Sequence, residues 1–126
     1  MIRLTVDCII RIDNKVVLIK RENPPLGWAI PGGFVDEGET VEDAVRREMK
    51  EETNLSLENL KQLHVYSDPA RDPRGHTVSV VFTAVGVGEP KAQDDAKEIG
   101  LFTEDTLPDD IAFDHRKILT DYFQRI

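Results

Sequence analysis

One helix dictates most of what this chain can become. Residues 41–53, VEDAVRREMKEET, follow Thr40, which with Asp43 makes a helix-start signature; Asn54, tolerant of left-handed backbone, stops the helix. At about 100° per residue from Val41, Val45 falls near 40°, Met49 near 80° and Ala44 near 300°, which defines one apolar stripe. Glu48 and Glu52 lie inside that stripe, at about 340° and 20°, and Glu51 sits on its edge at about 280°. Glu42, Asp43, Arg46 and Lys50 take the opposite face. Three carboxylates spaced i, i+3 and i+4 share one patch, where unpaired they repel and at least one tends to hold a proton. A bound divalent cation removes that conflict.

Charge and composition agree. The formal net charge is −8, and between Asp36 and Glu52 eight acids face three bases. Such a surface repels a phosphate backbone, so duplex DNA or RNA is not an expected partner, whereas clustered carboxylates invite Mg²⁺ or Mn²⁺. The 126 residues suit one domain, 1–126. The single cysteine, Cys8, lies in an apolar run and reads as a buried strand thiol. The N-terminus lacks a signal-peptide pattern and no apolar run approaches the roughly 20 residues that span a bilayer, so a cytoplasmic protein without membrane contact is expected.

Arg3 to Ile12 and Lys15 to Lys20 read as a hairpin around Asp13-Asn14. Residues 22–38, ENPPLGWAIPGGFVDEG, are punctuated by prolines and glycines and are expected to form a long functional loop without strand or helix. Its glycines permit close backbone approach to the acidic patch and expose carbonyl oxygens as ligands. Leu60 to Tyr66, Thr77 to Val87 and Ile99 to Phe102 read as strands, and Phe113 to Ile126 as a second amphipathic helix packing through Phe113, Ile118, Leu119, Tyr122 and Phe123. The expected class is α/β (α+β), a mixed sheet between helices.

The stretch GGFVDEGETVEDAVRREMKEETNL resembles the Nudix box: glycine, five residues, glutamate, seven residues, then Arg-Glu-apolar-any-Glu-Glu-any-Gly-apolar. Gly33, Glu39, Arg47, Glu48, Met49, Glu51, Glu52 and Leu55 match, and Asn54 replaces the last glycine. SDPARDPRGHTVSVVF and AFDHRKIL are similar to the ADP-ribose pyrophosphatase branch of that family. The resemblance implies a Nudix-like α/β/α sandwich and metal-dependent hydrolysis of a nucleoside diphosphate joined to another moiety, with ADP-ribose cleaved to AMP and ribose 5-phosphate as the leading reaction. It implies Glu48, Glu51, Glu52 and the Gly32 carbonyl as metal ligands, Arg47 as the residue that orients the glutamates through Glu51 or Glu39, and Glu52 or Glu98 as general base. It also leaves a homodimer open.

Several residues keep two readings. Arg71, Arg74 and His76 contact phosphate or ribose, or brace their loop on Asp68 or Asp72; Trp28 stacks on adenine or packs the loop onto the sheet. His115 braces the last helix or meets a ligand, and Asp114 reads as its N-cap. Two rival functions stand beside the leading one: a house-cleaning hydrolase of damaged nucleoside triphosphates or another nucleotide sugar, and a non-catalytic ADP-ribose sensor. The complete set of box carboxylates favours turnover.

Overall fold

A computed structural model describes residues 1–125. Strands β1 (Arg3–Ile12) and β2 (Lys15–Arg21) form the hairpin, and short strands β3 (Trp28–Ala29) and β4 (Gly32–Phe34) follow. Helix α1 (Val41–Thr53) leads to β5 (Ser56–Tyr66), β6 (Thr77–Val87) and β7 (Ala96–Phe102), and α2 (His115–Gln124) comes last. The sheet is mixed and seven-stranded, in the order β3-β2-β1-β6-β5, with β4 paired to β1 and β7 to β2. Its centre is the parallel pair β1 and β6, in register from Arg3 opposite Thr77 to Arg11 opposite Val85.

Strand alternation divides the core between two helices. Val6, Cys8 and Ile10 of β1, with Phe82 and Ala84 of β6, pack beneath Ala44, Val45 and Met49 of α1. Ile9 and Val81 pack with Ile118, Leu119 and Tyr122 of α2 instead. This is the expected α/β/α sandwich. On the α2 face the apolar rows turn polar toward the N-terminal ends of β1 and β6, at Thr5, Asp7, Thr77 and Ser79, all four buried. That buried polar floor marks a site.

Four local expectations need correction. The 22–38 segment carries β3 and β4, because Gly32 and Gly33 can lie against β1 where a side chain cannot: a Cβ on Gly32 would overlap the Val6 carbonyl and the Asp7 carboxyl. Strands β5 and β7 begin earlier than their apolar cores, since backbone pairing carries them on to Ser56 and Ala96. Helix α2 starts at His115, because Phe113 is left-handed at φ 56° and cannot be helical; Ile126 lies outside the described residues. Asp114 holds the cap position but caps no backbone N–H, since its carboxylate is bound by Arg71.

Candidate active site

Helix α1 starts as its sequence predicts, with Thr40 accepting the Asp43 N–H at 3.0 Å, and ends on Asn54 at φ 66°. Its acidic stripe has graded burial: Glu52 is buried, Glu48 half-buried and Glu51 exposed. All three line a cleft of about 400 Å³. Gly32 and Gly33 of β4 form part of the same lining, so close to the helix that a Cβ on Gly33 would overlap the Glu48 carboxyl. The Gly32 N–H donates to Glu52 at 3.3 Å.

Arg47 ties the loop to the helix. Its Nε and Nη2 donate to both oxygens of Glu39 at 2.7 and 2.8 Å, its Nη1 reaches Glu48 at 2.8 Å and Glu51 at 3.2 Å, and Nη2 also reaches the Phe34 carbonyl at 3.2 Å. Glu39 in turn accepts the Asp36 N–H at 2.9 Å. These bonds, Arg47 foremost, hold the Glu39 carboxyl down at about 2. Glu48 shifts the other way, raised by burial against the pull of Arg47. Glu52 makes no ion pair among the described residues: burial and the neighbouring Glu48, Asp7 and Asp95 carboxylates push it up to about 8, opposed by the Gly32 N–H.

Other walls come from distant parts of the chain. Arg21 ends β2, and Arg74 comes from the loop before β6; their guanidinium groups lie 4.9 and 5.2 Å from the centre of the Phe113 ring. Arg74 also pairs with Asp72 at 2.9 Å. Arg71, with a side chain only 4 % exposed, lines the cleft but gives its donors to Asp114 at 2.9 and 3.0 Å and to Thr77 at 2.8 Å. Asp7 accepts a hydrogen bond from Ser79, and burial pushes it up to about 6. His115 accepts the Ile30 N–H on Nδ1 at 2.9 Å; burial, then Arg71 and Arg21, hold its ring down at about 3.

Arg47, Trp28 and Glu98, all singled out from the sequence, stand outside this lining. Trp28 packs edge-on against Phe102, with ring centres 5.1 Å apart, and the cleft lining does not include it. Glu98 is opposite Lys20 in the β2–β7 register, 56 % exposed and 3.8 Å from the Lys20 ammonium, whereas its neighbour pair Ile19 and Ile99 brings Ile19 to the cleft. Conversely, Asp7, Arg21, Asp94, Asp95 and Phe113 line the cleft without having been anticipated. Asp7 carried a readable signal, an acid inside an apolar strand on the face of Thr5 and Ile9. Arg21 depends on long-range strand pairing and the rest on the folding of loops, neither of which leaves a periodic trace.

The donor set fits a hard divalent cation. Buried and half-buried carboxylates beside backbone carbonyls offer oxygen ligands, and among the described residues Glu52 makes no ion pair. Among the described residues no three acidic, histidine or cysteine side chains converge closely enough to hold an ion as they stand, while Arg47 draws Glu48 and Glu51 to itself.

A NUDIX domain model matches residues 1–122, almost the whole chain. The chain is a Nudix hydrolase. It is 54 % identical over 124 residues to the ADP-ribose pyrophosphatase of Methanocaldococcus jannaschii, covering 96 % of this chain and 73 % of that protein. Among solved structures, the NUDIX domain of Shewanella oneidensis NrtR complexed with ADP ribose superposes with a TM-score of 0.87 at 31 % identity, over 99 % of this chain and 88 % of that one. A bifunctional NMN adenylyltransferase/ADP ribose pyrophosphatase from Francisella tularensis, complexed with AMP and a Mn ion, gives 0.83 at 28 % identity, over 99 % of this chain and 42 % of that one. Nudix hydrolases depend on divalent metal ions, as the carboxylate stripe requires. No helix among the described residues is long and apolar enough to cross a membrane.

Proposed function

We propose that this Nudix hydrolase, acting as one domain in the cytoplasm, is a Mg²⁺-dependent ADP-ribose pyrophosphatase that adds water to ADP-ribose and releases AMP and ribose 5-phosphate. The observation that carries the chemistry is the meeting of Glu48, Glu51 and Glu52 with the Gly32-Gly33 backbone in one cleft. The relative from M. jannaschii supports the substrate. Glu48, Glu51, Glu52 and the Gly32 carbonyl would hold Mg²⁺, or Mn²⁺ in its place. When bound, the ion supplies charge neutralisation for the diphosphate and acidifies water.

The protein's own groups do the positioning. Arg47 holds Glu48 and Glu51 in place from behind, with Glu39 as its anchor. Arg74 and Arg21 are the cationic residues whose position supports a role in meeting the diphosphate; Arg71 has its guanidinium engaged by Asp114 and Thr77, which supports a bracing role. Of the two glutamates considered as proton acceptor, Glu52 lines the cleft and Glu98 does not, which favours Glu52. In-line displacement at phosphorus needs orientation and charge compensation more than a covalent intermediate, so no nucleophilic serine or cysteine is required.

The deciding experiment is turnover of a panel of nucleoside diphosphate derivatives and nucleoside triphosphates under Mg²⁺, with products identified. AMP and ribose 5-phosphate from ADP-ribose, formed faster than products from triphosphates, is the expected result. Preferred cleavage of triphosphates would replace the substrate, and ADP-ribose binding without AMP release would replace the activity with a sensor.

A further inference from the structure

One buried group in the cleft keeps a hydrogen-bond donor that no protein atom uses. His115 is 4 % exposed, and its Nδ1 accepts the backbone N–H of Ile30. An amide N–H can only donate, so Nδ1 carries the lone pair and the neutral ring has its proton on Nε2. Among the described residues no protein acceptor pairs with Nε2, and no fully buried polar side-chain atom is left without a partner. Nε2 is therefore the point at which the ring opens into the cleft that His115 lines.

A second polar group of the cleft lies against the same segment. Ile30 holds His115, and Gly32, two residues on, pairs with Asp7 across the β1–β4 register. One Asp7 oxygen is taken by Ser79, while Oδ1 is turned toward Gly32. His115 and Asp7 line the same cleft, and an uncharged donor in a lining that also holds a carboxyl oxygen suits a group that both accepts and donates. A hydroxyl meets that description, whereas a phosphate oxygen would face the carboxylate without a proton to give it.

We infer that His115 is a substrate-binding residue whose Nε2–H donates to a ribose hydroxyl of the nucleotide. The inference rests on the assignment of this cleft to a nucleoside diphosphate sugar. Its chemistry is shared by two sources, the adenosine ribose and the distal ribose, and the two reaction products separate them.

The test is calorimetric titration of AMP, ribose 5-phosphate and inorganic phosphate into the wild-type chain and His115→Asn. Asparagine keeps an acceptor for the Ile30 N–H and removes the distal donor, so the melting temperature stays close to wild type. The Kd for AMP or for ribose 5-phosphate rises roughly three- to tenfold, the worth of one neutral hydrogen bond, and the Kd for phosphate does not change. The product whose affinity falls identifies the ribose. Unchanged affinity for both products, or an equal loss for phosphate, overturns the inference. Where His115→Asn does not fold, the wild-type chain is titrated with dideoxy-AMP and deoxyribose 5-phosphate, and parity of both with their parent compounds overturns it equally. Wild-type turnover of ADP-ribose tests the underlying assignment separately: its absence removes that assignment, while normal turnover with unchanged His115→Asn binding removes only this contact.

Discussion

Two adjacent glycines show how residue-scale geometry divides activity from stability. A methyl group on Gly33 would meet the far end of the Glu48 side chain, which can swing away, so Gly33→Ala is expected to fold and to lose roughly 10²-fold in kcat through misplacement of that carboxylate. On Gly32 the same methyl would meet the Val6 carbonyl, which cannot move without breaking the β1–β4 pairing, so Gly32→Ala is expected to destabilise by about 1–3 kcal/mol in denaturant unfolding. Glu52 sets a pH dependence. Its folded carboxyl is raised from 4.5 to about 8, so its contribution to stability is complete below about pH 4.5 and is lost as pH rises toward 8. Glu52→Gln should flatten the melting temperature over that window in metal-free buffer and lower ADP-ribose turnover by orders of magnitude. Mg²⁺, which favours the ionised form, should raise the wild-type melting temperature more at pH 8 than at pH 5, with a smaller difference in Glu52→Gln.

At the scale of the element, α1 works because its two ends are fixed. Asn54 stops it in left-handed backbone, with its side chain donating to the Glu89 carbonyl at 3.0 Å. That conformation explains why asparagine serves where the Nudix box has glycine: both tolerate positive φ. Asn54→Ala should therefore destabilise by about 1–2 kcal/mol, because alanine lacks the polar side chain that makes left-handed backbone tolerable for asparagine, while Asn54→Gly should lose less, as read by chemical unfolding. Equal losses for the two variants would mean that the bond to Glu89, rather than backbone conformation, dominates the stop.

Across the whole molecule, the Arg71–Asp114 pair joins the loop before β6 to the start of α2, and Arg71 continues to Thr77 in the sheet. With side chains 4 % and 20 % exposed, the pair is largely shielded from water, so removing one partner strands a charge. Arg71→Met should cost about 3–5 kcal/mol, and Arg71→Met combined with Asp114→Asn should cost less than the sum of the single changes. Additive losses would show that the two residues act independently.

The sequence by itself determined the class of fold, the helix with its two stops, and the identity of the box carboxylates, because helical periodicity and capping depend on residues within a few positions of one another. It also contained the charge conflict on the α1 stripe, since three acids at i, i+3 and i+4 share a face in any helix. Only the tertiary structure decided what surrounds them. Asp7, Arg21 and Phe113 reach the cleft through strand pairing and a left-handed turn, while the register beside Lys20 turns Glu98 away. Long-range register and loop paths follow from which surfaces exclude water together, and that sum over the whole chain has no local signature.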